Sequence, residues 1–214
     1  MTTEYPLKAA IIVAHPDDET IWAGGTILLN PDWQWTVSAL CRGSDPDRAP
    51  KFRRVLERLG VSGEISDLDD GPEQSPLSDS DVREAVLSLL PERHFDLILT
   101  HSPFGEYTRH LRHEETGRAV AIMWAEGVIS AEEIWLFAYE NDARQLPQPI
   151  KTAHRVIKLP ENIRRQKYDI VTGVYGFGPG SFEASILPSE ETFWCFRSAD
   201  EFYEWLTTNK RRVQ

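Results

Sequence analysis

Cysteine is nearly missing from this chain: Cys41 and Cys195 are the only two in 214 residues. They lie far apart and form no C-x-x-C pair, so the expectation is two buried free thiols in a reducing compartment. Basic charge is also scarce. Lys and Arg number 23 against 34 Asp and Glu, a formal net charge of −11. Nucleic-acid binding needs clustered Lys and Arg on phosphates, so it is excluded as the main role, and an anionic membrane surface is disfavoured. No apolar run approaches the roughly 18 residues of a membrane span. Residues 1–6 offer neither a basic region nor an apolar signal stretch, and the expected location is the cytoplasm. The first strand is not followed by G-x-G-x-x-G, which counts against dinucleotide binding. No G-x-S-x-G elbow supplies a serine nucleophile.

What is present describes an ordinary globular protein, 41% hydrophobic and 27% charged. At this length one domain, 1–214, is expected, with a core that needs no disulfide or metal staple. Seven Trp are assigned to the core and to pocket walls. The acidic balance suits the holding of a divalent cation.

The apolar run Ala9-Ala10-Ile11-Ile12-Val13 is too short for a helix and reads as a buried strand over 8–14. Pro16 ends it, and Asp17 or Asp18 can cap a helix over 18–30. Strands are then expected over 34–41, 61–68, 95–100 and 134–139, and helices over 51–59, 80–90 and 114–128, with Val120, Met123, Trp124 and Val128 inward. This alternation is the signature of a Rossmann-like α/β fold, a mostly parallel sheet with helices on both faces. The C-terminal third is less regular and is expected to complete the site: an edge strand over 154–159, a basic solvated helix over 161–168, a strand over 192–197 and a last helix over 199–209. Between them Gly173 to Gly180 reads as a mobile loop over the site rather than a phosphate loop, since it lacks the Lys-Ser/Thr ending.

Two histidine-bearing loops stand out, each after a buried strand and before a helix: His15-Pro16-Asp17-Asp18-Glu19 and His110-Leu111-Arg112-His113. If their strands are neighbours, His15, Asp18 and His113 converge at the carboxyl edge of the sheet, where open α/β folds bind ligands. Two imidazoles and a carboxylate with an open position make a catalytic zinc set, and such a set also accepts Fe²⁺ or other divalent ions. By spacing alone a structural reading stays open too, with the aspartates as a helix cap and the histidines at the surface. His101, at the end of a strand on the same rim, can line the pocket; His94 and His154 read as surface or packing residues.

Ala14-His15-Pro16-Asp17-Asp18-Glu19 resembles the signature of the PIG-L/LmbE family of zinc-dependent N-deacetylases, and Gly105 to His113 is similar to the family's second motif. The resemblance covers about the first 140 residues. It implies a zinc ion, one per chain, on His15, Asp18 and His113. It implies Asp17 as the general base toward the attacking water, and His110 as the imidazole that steadies the oxyanion or protonates the leaving amine. Arg48 stands where a substrate-contacting arginine is expected, Asp70 where a sugar-hydroxyl acceptor is expected, and Tyr107 would border the substrate. Glu19 would hold His15 or brace the helix start.

The chain departs from the family at several points. The family reads His-Pro-Asp-His or similar where this chain has His110-Leu111-Arg112-His113. Thr108 and Arg109 separate Tyr107 from His110 where a single glycine is expected, and Lys51 replaces an acid.

The implied substrate is a small N-acetylglucosamine-type sugar or conjugate. Two other readings stand beside it: an amidase of a thiol or antibiotic conjugate, and a Rossmann-like nucleotide- or sugar-binding protein without catalysis. None of these features bears on oligomeric state.

Overall fold

The computed structural model describes residues 5–107, 110–142 and 146–210. Five parallel strands form the centre of the sheet: β1 (Lys8–Val13), β2 (Gln34–Cys41), β3 (Ser62–Leu68), β4 (His94–Thr100) and β5 (Ser130–Phe137). Two short strands, β6 (Tyr139–Asn141) and β7 (Pro147–Pro149), pair with each other apart from the main sheet. The strand β8 (Arg155–Lys158) pairs antiparallel with β9 (Glu190–Phe196), which itself joins the sheet antiparallel to β5, giving the order β3-β2-β1-β4-β5-β9-β8.

Strand alternation sends side chains to opposite faces, and both faces of the sheet are covered. Ala9, Ile11 and Val13 of β1 pack with Ile21, Trp22 and Ile27 of α1 (Asp18–Leu29) and Phe52 and Leu56 of α2 (Arg48–Leu59). Ala10 and Ile12 face the other way, toward Val82 and Val86 of α3 (Asp79–Leu89), Val120 and Met123 of α4 (Leu111–Ala125), and Phe202 of α7 (Ala199–Lys210). Burial of each such aliphatic or aromatic side chain stabilises by about 1.5–3 kcal/mol. The expected α/β architecture is therefore present.

Several boundaries differ from the sequence reading. α4 starts at Leu111, so His113 sits in its first turn rather than in a loop. It ends at Ala125, which leaves Val128 outside the helix and exposed. α2 starts at Arg48, three residues early. Ser78, not Asp79 or Ser80, caps α3, its hydroxyl accepting the N–H of Asp81.

The helix read as solvated, α5 (Glu161–Asp169), carries a buried lysine. Lys167 Nζ lies 2.6 Å from Glu191 Oε1, and both side chains are at most 1% exposed. Glu191 also accepts the backbone N–H groups of Gly25 and Thr26 in α1 at 2.7 Å each. A Cβ on Gly25 would stand 2.4 Å from Leu159 Cδ2 and 2.9 Å from Glu191 Oε1, so a side chain there would displace both. Between α5 and the short α6 (Phe182–Ser185), Ile170–Val174 form a π-helical turn that takes in the start of the expected glycine-rich loop.

Candidate functional site

β1 and β4 are neighbours in register, Ile12 opposite Thr100. The chain passes from β1 to β2 on one side, while β4 and β5 lie on the other. Their carboxyl ends therefore open at the point where strand order reverses, the place where α/β sheets bind ligands. The two histidine-bearing segments leave these two strands, which brings their residues together.

In the first turn Asp17 takes a positive φ of 111°, a strained conformation for a residue with a Cβ. Its N–H donates to Glu19 Oε2 at 3.0 Å. Glu19, fully buried, also accepts from the hydroxyls of Thr20 and Tyr175. So Glu19 braces the turn; it does not hold His15. Asp17 occupies the N-cap position of α1, but its side chain makes no cap hydrogen bond. Oδ2 instead accepts from Arg48 Nη1 at 3.0 Å.

His15 Nδ1, Asp18 Oδ2 and His113 Nε2 form a nearly equilateral triangle: His15 to Asp18 3.2 Å, His15 to His113 3.2 Å, and His113 to Asp18 3.3 Å. Donors bound tetrahedrally to zinc at about 2.0–2.1 Å stand about 3.3–3.4 Å apart. These three atoms could hold such an ion. Trp22 Nε1 donates to the other oxygen, Asp18 Oδ1, at 3.1 Å, which leaves Oδ2 toward the triangle. Wider groupings of possible ligand atoms include His110 and His101. His101 is disqualified by its own bonding, since its Nε2 accepts the N–H of Ala14 at 3.0 Å.

One residue with a part in this arrangement escaped the sequence reading. Glu106, buried, receives His113 Nδ1 at 2.7 Å on Oε2 and His101 Nδ1 at 3.0 Å on Oε1. The available signal was its place within the second motif; a lone acid five residues from one histidine and seven from another shows no periodic pattern. Burial alone would raise its pKa, but the imidazoles of His101 and His113 hold it at about 2. Gly117 lets α4 lie against this segment, for a Cβ there would stand 2.4 Å from the His101 carbonyl oxygen.

The remaining expected residues gather around a cavity of about 430 Å³, a size suited to a small ligand. Asp70 reaches it from the far side: Oδ1 lies 3.3 Å from His15 Nε2 and Oδ2 pairs with Arg42 at 2.5 Å. It is thus engaged by protein groups at both oxygens, and these partners hold its carboxyl well below the usual range despite burial.

Arg112, where the family has an acid, is buried and donates to the carbonyls of Asp69 and Ser75, fixing the loop that carries Asp70. Tyr107 packs between Trp22 and Phe182, with ring centroids 5.9 and 5.6 Å away. Thr108 and Arg109 lie outside the described residues. His110 stacks on His113 at 4.5 Å, and its Nδ1 has no hydrogen-bond partner among the described residues. The C-terminal third reaches the site through Tyr175 on Glu19, Phe177 under the Arg48 guanidinium at 4.5 Å, and Phe182 and Ile186 in the cavity wall.

The adjacent carboxylates are driven apart. Burial raises Asp17, the charge of Asp18 adds to it, and Arg48 offsets only part. At Asp18 the same burial is outweighed by the facing imidazoles, His113 above all, and its carboxyl is held well below the usual range. Divergent pKa values in one site mark a division of labour between groups. Burial, then His113 and His15, push His110 down to about 4, so its imidazole is neutral near pH 7. Cys41 is buried and its thiol is pushed up to about 12, which removes it as a nucleophile.

Comparison with known proteins agrees with the geometry. The family model described as PIG-L, GlcNAc-PI de-N-acetylase, matches residues 10–124. An uncharacterized protein, L374, of Acanthamoeba polyphaga mimivirus is 27% identical, over 79% of each chain. Among solved structures, the N,N'-diacetylchitobiose deacetylase of Pyrococcus horikoshii is similar with a TM-score of 0.64 at 16% identity, covering 89% of this chain and 84% of that one. The 4-carboxy-2-hydroxymuconate hydratase GalB of Pseudomonas putida is similar with a TM-score of 0.59 at 16% identity, covering 88% and 95%. One fold thus carries both a deacetylase and a hydratase, and the fold by itself does not choose between them. The family match spans more than half of the chain, and the protein belongs to the PIG-L family of N-deacetylases.

Proposed function

We propose that this chain is a zinc-dependent hydrolase that removes the acetyl group from an N-acetylglucosamine-type sugar or conjugate. The observation that carries the reading is the donor triangle of His15, Asp18 and His113, with Asp17 beside it but turned out of it. The family membership and the deacetylase named among the structural relatives support it.

His15 through Nδ1, Asp18 through Oδ2 and His113 through Nε2 would hold the ion. When bound, zinc brings the pKa of water down to about 7 and polarises a carbonyl. Asp17 accepts the proton of the attacking water. Its raised pKa makes it a better base than an ordinary carboxylate once ionised, and the Arg48 charge favours the ionised form. The same carboxylic acid then returns the proton to the leaving amine, so that amide and water become acetic acid and free amine, which near neutral pH are acetate and the ammonium form. His110 acts as a neutral N–H donor to the oxygen that gains charge; at a pKa of about 4 it holds no proton of its own to give near pH 7. The cavity wall of Trp22, Tyr107, Phe182 and Ile186 takes the apolar face of the sugar, and Arg42 and Arg48 its polar edge.

The test is zinc content of protein purified without a histidine tag, paired with acetate release from N-acetylglucosamine and from its glycosides. Stoichiometric zinc with acetate release is expected. Zinc-loaded protein that releases acetate from none of these amides overturns the substrate assignment. Failure to take up zinc on reconstitution overturns the metal site and leaves a binding protein.

A further inference from the structure

The polar groups behind the donor triangle converge on one carboxylate. Glu106 is fully buried, and each of its oxygens meets an imidazole Nδ1, 2.7 Å to His113 and 3.0 Å to His101. The tautomer of His101 is fixed independently: because Nε2 accepts the N–H of Ala14, the proton is on Nδ1. His113 must present the lone pair of Nε2 to the triangle, which likewise puts its proton on Nδ1. Both rings therefore offer an N–H, and only a group with two acceptor oxygens satisfies both. A glutamine cannot, since one end of its amide is a donor.

We infer that Glu106 is a positioning residue for the metal site. Through Oε2 it fixes the orientation and tautomer of His113, and through Oε1 and His101 it ties that histidine to Ala14, the residue next to His15. The N–H of Ser102 on Oε1 at 3.1 Å completes the carboxylate's partners. One buried acid thereby sets the separation between the two segments that supply the triangle. The inference rests on the metal-site reading proposed above but not on the identity of the substrate. A partner that orients a metal-binding histidine contributes about 10–100-fold to metal affinity.

The experiment measures the zinc dissociation constant by chelator competition on the full, untagged chain. For Glu106→Gln we expect zinc binding weakened by about 10–100-fold, with kcat restored at saturating zinc and KM unchanged. In His101→Gln the side-chain oxygen can still accept the Ala14 N–H, and zinc affinity should stay near wild type. Unchanged zinc affinity in Glu106→Gln overturns the inference, as does an equal loss in His101→Gln, which would assign the effect to packing. Should Glu106→Gln fail to fold, ¹⁵N-histidine spectra of the zinc-loaded wild type decide. An exchange-protected Nδ1–H on His113 with zinc on Nε2 is expected; zinc on Nδ1 overturns the inference. Wild-type protein that binds no zinc overturns both this and the metal-site reading, whereas zinc binding without acetate release removes only the substrate.

Discussion

Arg48 Nη1 donates to Asp17 Oδ2 across 3.0 Å, at the mouth of the cavity and with the Phe177 ring beneath the guanidinium. This pair opposes the burial and the Asp18 charge that raise the Asp17 pKa. The base works only when ionised, so the acid limb of the kcat/KM profile follows its deprotonation. Removing the positive charge in Arg48→Gln raises the Asp17 pKa further and moves that limb to higher pH. A pH–rate profile should show a larger loss on the acid side than on the plateau; a uniform loss would make Arg48 a substrate contact alone.

Asp17→Asn tests the base directly. It preserves size but cannot take up a proton, and turnover should fall by about 10²–10⁴-fold. Zinc content should be unchanged, because Asp17 stands outside the donor triangle. Metal analysis beside steady-state kinetics separates loss of the base from loss of the ion.

Asp18→Ala and His113→Ala should behave differently from Asp17→Asn and alike with each other, losing zinc and activity together. Each removes one corner of a triangle whose edges are 3.2–3.3 Å. Retention of stoichiometric zinc by either variant would dismiss that residue as a ligand.

His110→Ala should lower kcat by about 10²–10³-fold, the size of effect seen when one donor to a developing oxyanion is removed. The ring stacks on His113 without sharing its hydrogen bonds to Glu106, so zinc occupancy should hold. Loss of zinc would reassign His110 as a ligand.

The buried pair of Lys167 and Glu191 lies away from this chemistry and should govern stability instead. Removing one partner leaves the other charge buried and uncompensated, at a cost of about 3–5 kcal/mol. For Glu191→Gln one end of the side chain becomes a donor, so it can no longer accept the N–H groups of both Gly25 and Thr26 in α1. Urea denaturation of Lys167→Met and Glu191→Gln measures it; midpoints like that of the wild type would contradict the role.

The sequence by itself determined the alternation of strands and helices, because a buried parallel strand needs a continuous apolar run and its crossover helix an amphipathic one. It also placed His15, Asp17, Asp18, His110 and His113 on one rim, since each segment follows a strand of the same direction. Tertiary structure alone decided the rest. Asp18 and Asp17 differ by one position, yet a positive φ at Asp17 turns one carboxylate to Arg48 and leaves the other facing the imidazoles of His15, His101 and His113.

Lys167 sits in a run of basic residues and reads as solvated until Glu191, 24 residues away, neutralises it in the core. Glu106 carries no periodic signal beyond its place within the second motif, and His113 on α4 meets it with Gly117 packed against the His101 carbonyl. Asp70, expected to face a sugar, is held by Arg42 and His15. The physical reason is common to all four. Periodicity and turn chemistry are local and can be read along the chain, whereas the protonation and aim of a buried charge depend on which groups of other segments surround it.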